Sequence, residues 1–222
     1  MCSMCLCVSK KIYVFSEKYL CVTLSRFSMQ NLIFITKLKL MPHNFEVGIL
    51  QTTEIEELLA LQRANLAVNL DAQTIESQGF VTFVYAPEAI ADMMQVAPQI
   101  VVRADNQIVG YALTVTLEAA LKNDLMRPLA MLSQKLGPLS KKRFYFIGQV
   151  CVKAGYRGIG VFDALYKEHK DLFEYQYQAV VTEIASDNTR SLAAHRRVGF
   201  QTIHTEFDET HSKEWQVVAW FF

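Results

Sequence analysis

The chain has 222 residues, 51% of them apolar and 20% charged, with 22 basic side chains against 22 acidic ones. That length and balance suit one globular domain, with or without an extension, and exclude a disordered or fibrous chain. The charge is uneven: residues 1–40 hold six cations and one anion, which leaves residues 41–222 mildly acidic and gives no electrostatic footing for nucleic acid.

Four of the five cysteines (Cys2, Cys5, Cys7, Cys21) fall in residues 1–40, and only Cys151 lies beyond. No disulfide framework is expected, and a reducing cytoplasm is the expected compartment. No second ligand pair at zinc spacing follows Cys2, Cys5 and Cys7, so no metal is expected. The sequence has no run of 18 uncharged apolar residues and no ordered secretory signal, so no membrane association is expected. Residues 1–40 read as an unstructured extension, or as sequence upstream of the natural start. Met41-Pro42 opens the domain, 41–222.

In chain order, Phe45–Leu50 predicts a short strand. A helix follows from Thr52-Thr53 through Val68, with Ile55, Leu58, Leu59 and Leu61 as its apolar stripe. Asp71–Ser77 predicts a short helix, and Pro87 begins one reaching about Gln95. Gln99–Arg103 and Gln107–Thr116 are strands joined by a hairpin turn at Ala104-Asp105-Asn106. Residues 117–135 are helical by pattern. Arg143–Val152 is a strand rich in aromatic and β-branched residues. Beyond the turn Gly155–Gly160 comes a helix to about Tyr175, then a strand at Ala179–Ala185. A helix at Thr189–Val198 is stopped by Gly199. Strands near Gln201–Phe207 and Glu214–Phe222 close the chain. The alternation predicts an α/β domain with a mixed sheet flanked by helices. The apolar end Val217–Phe222 is expected to bury against that sheet, a homodimer contact being the other option.

The segment from Val150 to Gly160 leaves a strand and enters a helix. Glycines allow close backbone approach, and a helix start offers unpaired N–H groups at a positive dipole end, so the turn suits a pyrophosphate. It is neither of two familiar phosphate turns. The dinucleotide fingerprint needs glycine where Asp163 stands, and the P-loop needs Lys-Ser/Thr where Val161-Phe162 stands.

Arg157, Gly160 and Phe162 fall on the pattern R/Q-x-x-G-x-G/A, with Phe162 where Gly or Ala is usual. This stretch resembles motif A of the GNAT acetyltransferase superfamily. Downstream, Glu183, Asn188, Ser191, Gly199 and Phe200 resemble motif B, with His195 in a place usually held by Tyr. The resemblance implies a mixed, mostly antiparallel central sheet that splays at a cofactor cleft. It also implies acetyl-CoA as co-substrate and an amine acceptor, either a small molecule or a peptide. The backbone amides of Arg157, Gly158, Ile159, Gly160, Val161 and Phe162 would bind the pyrophosphate, provided the Phe162 ring turns into the core. Asn188, Ser191 and His195 are spaced three, four and seven apart, so they share a helix face that could flank the pantetheine arm. Asn188 also reads as the helix N-cap.

Acetyl transfer to an amine needs a base. An amine of pKa about 10.4 is only about one part in 2,500 neutral at pH 7, a deficit of about 4.6 kcal/mol. Glu183, at the end of a buried strand, is the candidate base. His195 is the candidate acid for the departing thiolate. Backbone N–H groups of Val150, Cys151 and Val152 would polarise the thioester carbonyl. The Cys151 side chain reads as core rather than nucleophile. A second reading keeps the fold without the chemistry: a non-catalytic acyl-CoA-binding module in which Phe162 and His195 mark lost activity.

Overall fold

The computed structural model describes residues 11–13, 45–209 and 212–222. One eight-stranded sheet runs through the domain: β1 (Lys11–Tyr13), β2 (Phe45–Ile49), β3 (Ile100–Ala104), β4 (Gln107–Thr116), β5 (Phe144–Val152), β6 (Ala179–Ala185), β7 (Gln201–Asp208) and β8 (Lys213–Phe221). Their spatial order is β1-β2-β3-β4-β5-β6-β8-β7. Every neighbouring pair is antiparallel except β5 and β6. Lys11–Tyr13 belong to the segment expected to be an unstructured extension, yet they pair with β2 at the sheet edge. The rest of residues 1–40, including Cys2, Cys5, Cys7 and Cys21, lies outside the described residues.

Local chemistry sets the elements. Asp105 and Asn106 have φ of 51° and 61°, the two-residue hairpin whose twist matches the strands it joins, and Asp and Asn tolerate that region. The helices are α1 (Ile55–Ala64), α2 (Ala72–Gln78), α3 (Pro87–Val96), α4 (Leu117–Lys122), α5 (Arg127–Lys135), α6 (Val161–Phe173) and α7 (Thr189–Val198). Two are shorter than the periodicity predicts. The stretch 52–68 is a 3₁₀ turn (Thr52–Glu54), α1, and a second 3₁₀ turn (Ala67–Asn69). After Ala64 the Asn65 amide side chain bonds back to the Leu61 carbonyl, and Val81 then takes the backbone into a bridge. The stretch 117–135 is two helices. Asn123 Oδ1 accepts from the N–H groups of Leu125 and Met126, and Pro128 has no N–H with which to continue a helix from α4. Among the described residues no helix is long and apolar enough to cross a membrane.

Strand alternation divides the core between the two faces. Ile100, Val102, Tyr145 and Ile147 pack with Leu165, Tyr166 and Phe173 of α6. Val101, Tyr111 and Leu113 pack with Leu58, Leu59 and Ile90 of α1 and α3. The apolar C-terminal stretch buries within the sheet: β8 lies between β6 and β7, with Val217 and Ala219 fully enclosed. Burying Leu165, Tyr166 and Phe173 of α6 contributes roughly 5–9 kcal/mol before chain entropy is counted, so the β5–α6–β6 unit is a firm base for whatever its end presents.

That end is open. β5 and β6 pair only at Phe144/Ala179, Tyr145/Val180 and Phe146/Val181, although β5 runs on to Val152 and β6 to Ala185. The separation begins at a β-bulge. On β4, Leu113 pairs with Gln149 and Thr114 with Ile147, which leaves Gly148 unpaired. A bulge bends its strand and increases the twist, carrying β5 away from β6. Glycine is required there, because a Cβ would stand 2.7 Å from Tyr85 Oη and 3.0 Å from Val115 Cγ2.

Candidate active site

The splayed strand ends form the walls of a cleft. Its outer part is a cavity of about 500 Å³ lined by the glycine turn, the start of α6, one face of α7 and the segment Gln78–Val81. Its inner part, about 80 Å³, is lined by Gly148–Val150, Thr182–Ala185, Phe80–Phe83, Ser191, His195 and Trp215.

The glycine turn has the backbone its sequence predicts. Gly155, Gly158 and Gly160 lie at φ of 86°, 77° and 97°. Nothing stands within 4 Å of a Cβ built at Gly155 or Gly158, so conformation rather than crowding demands glycine at both. Gly160 is the N-cap of α6 and gives no side-chain cap, so the first-turn N–H groups of that helix have no partner in the helix and border the outer cavity. The Arg157 guanidinium is committed to its neighbours. Nε donates to the Val152 carbonyl at 2.9 Å, Nη1 to Gln78 Oε1 at 3.1 Å and Nη2 to Asn65 Oδ1 at 2.5 Å. Its side chain ties the turn to α2 and to the end of α1, and what it offers a phosphate is its amide. Asp163, in the first turn of α6, is neutralised by Arg197 at 2.5 Å.

The Phe162 ring turns into the core, 4.9 Å from the Tyr166 ring and 5.0 Å from that of His195, so it does not obstruct the turn. Cys151 is buried between sheet and helices, and burial pushes its thiol up to about 12. It is a core residue, and its part in the site is confined to backbone. On that backbone Lys153 N–H bonds the Val109 carbonyl of β4. Strand alternation therefore turns Cys151 N–H toward β4 as well, and turns the N–H groups of Val150 and Val152 toward the side β6 has vacated. Of the three residues predicted to polarise a carbonyl, Val150 and Val152 have the right orientation and Cys151 does not.

Asn188 caps α7 as its sequence position predicts, with Oδ1 accepting from Ser191 N–H at 3.2 Å, while Nδ2 donates to the Phe80 carbonyl at 3.2 Å. Glu183 is half-buried on the inner cavity. Burial first, then the charge and hydrogen bond of Glu206 and the charge of Asp208, raise its carboxyl to about 7. His195 is a correction. Its ring is 1% exposed and burial lowers it to about 4, so it is neutral. Nδ1 is 2.8 Å from the Ser191 carbonyl and Nε2 is 2.6 Å from Tyr166 Oη. Its single proton is engaged by a carbonyl, and it has none to give to a thiolate.

A family model described as "Acetyltransferase (GNAT) family" matches residues 76–200, more than half of the chain and most of this cleft. The chain belongs to the GNAT acetyltransferase family. Solved structures with the same fold include the ribosomal-protein-S18-alanine N-acetyltransferase of Escherichia coli, at TM-score 0.55 and 13% identity, covering 80% of this chain and 93% of that one. Naa50 of Arabidopsis thaliana, solved with the bisubstrate analogue CoA-Ac-MVNAL, aligns at TM-score 0.55 and 14% identity over 80% of this chain and 99% of that one. A GCN5-related N-acetyltransferase of Kribbella flavida aligns at TM-score 0.52 and 18% identity, over 80% and 98%. No curated protein sequence matches the chain.

Within this GNAT fold the structure brings both motifs to one cleft. It also adds walls that no motif named: Asn65, Gln78–Val81 and Phe83, within the stretch 53–95 expected to line an acceptor pocket, and Arg190 and Arg197 from α7. Arg190 and Arg197 could have been found by extending the helix-face argument. The others carry no sequence signal, because the parallel bridge between Leu66 and Val81, a contact between distant residues, is what holds them together. Among the described residues no group of three His, Cys, Asp or Glu side chains is placed to hold a metal ion.

Proposed function

We propose that this GNAT protein transfers an acetyl group from acetyl-CoA to an amine by direct attack in a ternary complex. The observation that carries the reading is the continuity of the cleft. The outer cavity begins at the glycine turn and shares Phe80, Val81, Val150, Asn188 and Ser191 with the inner one, where Glu183 waits. A pyrophosphate on the amides of 157–162 leaves an extended arm running between β5 and β6 toward Glu183. The analogue bound to Naa50 joins coenzyme A to a peptide, which supports an occupant of that kind.

The chemistry follows from the groups present. An acceptor ammonium of pKa about 10.4 must lose a proton before its nitrogen can attack. Glu183, poised at about 7, accepts that proton near neutral pH. The amine nitrogen bonds to the thioester carbon, and the oxygen gains negative charge beside the Val150 and Val152 N–H groups. The C–S bond then breaks with its electron pair on sulfur. A thiolate of parent pKa about 8.5 leaves far more readily than an alkoxide, so no strong acid is needed where His195 stands.

The acceptor is a peptide amine or a small-molecule amine. The test is thiol release from acetyl-CoA by the pure protein across two panels, peptides with free or blocked N-termini and small mono- and diamines. Turnover with one panel names the class. If coenzyme A binds but no amine is acetylated, the domain is a non-catalytic acyl-CoA-binding module.

A further inference from the structure

The two cavities meet along five shared residues, Phe80, Val81, Val150, Asn188 and Ser191. A thioester reaching from the glycine turn to Glu183 crosses that seam with its sulfur. Three of the five have hydrocarbon side chains, and the Asn188 carboxamide is committed at both ends. Ser191 has the one hydroxyl.

The surroundings decide which way that hydroxyl faces. His195 Nδ1 stands 2.8 Å from the Ser191 carbonyl oxygen, where two lone pairs would repel, so Nδ1 carries the ring proton. The same N–H lies 3.3 Å from Ser191 Oγ, which therefore meets a donor on that side. Nε2 keeps a lone pair and accepts from the Tyr166 hydroxyl at 2.6 Å. With its acceptor side toward His195, the Ser191 O–H has its proton left for the cleft.

We propose that Ser191 Oγ donates a hydrogen bond to the coenzyme A sulfur as the C–S bond breaks, with His195 and Tyr166 as positioning residues behind it. This rests on the acetyl-transfer reading above. The step balances without serine losing its proton. The ammonium loses two protons, one to Glu183 before attack and one to solvent from the bonded nitrogen as the C–S bond breaks; the C–S electron pair goes to sulfur, and solvent protonates the thiolate on release. A full relay from Tyr166 through His195 would end in a buried tyrosinate, and burial holds the Tyr166 phenol far above its ordinary range.

Coenzyme A itself is the probe. Its thiol, bound to the full chain, is titrated by ultraviolet thiolate absorbance in the wild type, Ser191→Ala and Ser191→Thr. The charged groups facing the cleft are constant across the series: Glu183 on β6, Arg190 and Arg197 on α7, Arg157 and Asp163 at the turn. The start of α7 also acts equally on all three. The wild-type thiol should titrate about one to two units below the ordinary value of about 8.5. Ser191→Ala should raise it by about one unit, and Ser191→Thr should bring it back. A bound thiol whose pKa is the same in Ser191→Ala overturns the assignment while leaving acetyl transfer standing. If calorimetry finds no coenzyme A bound to the wild type, both readings fall together.

Discussion

The rings of Phe162 and His195 meet edge to face, their centroids 5.0 Å apart and their planes at 86°. These are the two positions at which the chain departs from the motif pattern it otherwise matches, and they touch. A bulky ring in the first turn of α6 fills the space beside an imidazole smaller than the phenol usual at that place. Tyr166, Phe200 and Trp220 complete the cluster, so both departures are absorbed by one patch of core. The relationship predicts coupling. His195→Tyr alone should overpack the patch and lower stability by about 1–3 kcal/mol. Phe162→Ala alone should leave a void costing about 2–4 kcal/mol. Together they should recover at least about 1 kcal/mol of the sum. Urea unfolding of the four proteins measures it, and additive effects would show that the contact is incidental.

With Glu183 proposed as the base, its carboxyl sets the expected pH dependence. With its carboxyl at about 7, acetylation should rise as pH increases through about 7, as the base ionises. Glu183→Gln should lower kcat/KM by about 10²–10⁴-fold at neutral pH, with coenzyme A affinity nearly intact and a smaller loss at high pH. Glu206→Gln removes a neighbouring charge and a hydrogen bond that raise the Glu183 pKa, so its acidic limb should move to lower pH. A pH–rate profile unchanged in Glu206→Gln would separate the two carboxyls.

The same group makes a statement about stability. A carboxyl at about 4.5 in the unfolded chain and about 7 in the fold favours the protonated form in the fold. Its contribution is fully present below about 4.5 and is lost as pH rises through about 7. Glu183→Gln removes that loss. Its melting temperature should therefore exceed that of the wild type by a few degrees at pH 8 and converge with it near pH 5. Parallel melting curves across that range would contradict the assigned environment.

The bulge at Gly148 sets the cleft. Gly148→Ala places a Cβ where Tyr85 Oη and Val115 Cγ2 stand, so it should destabilise the fold by about 1–3 kcal/mol and reduce turnover. Tyr85→Phe in the same chain removes the atom at 2.7 Å and should restore part of the stability. Thermal unfolding of the single and double variants checks this, and no recovery would place the strain at Val115 instead.

In the glycine turn, Gly158→Val with Gly160→Val should weaken coenzyme A binding at least about tenfold, because both positions lie at positive φ, where a β-branched residue is strained. Calorimetry reads this directly, and equal affinity would move the pyrophosphate site elsewhere.

Much of this was written locally. Hydrophobic period and turn chemistry determine the β3–β4 hairpin, the strand at 144–152 and the α7 cap, because each depends on residues within a few positions of one another. The glycine turn and the Asn188–Phe200 segment are equally local, so family and fold could be read from residues 150–200, and the structure brings the two segments to one cleft. Helix breaks at Asn65 and Asn123 were missed, because a side chain that bonds its own backbone ends a helix without disturbing the apolar period. The roles within the site were decided by tertiary structure. His195 is spaced like a catalytic residue, but Phe162, Tyr166 and Phe200 bury it, and burial rather than sequence position sets its charge. Glu183 is tuned by Glu206 from a strand two places away in the sheet, and the space at the bulged Gly148 is limited by Tyr85 from the first half of the chain. Burial, charge proximity and crowding act through space, so groups distant along the chain determine them.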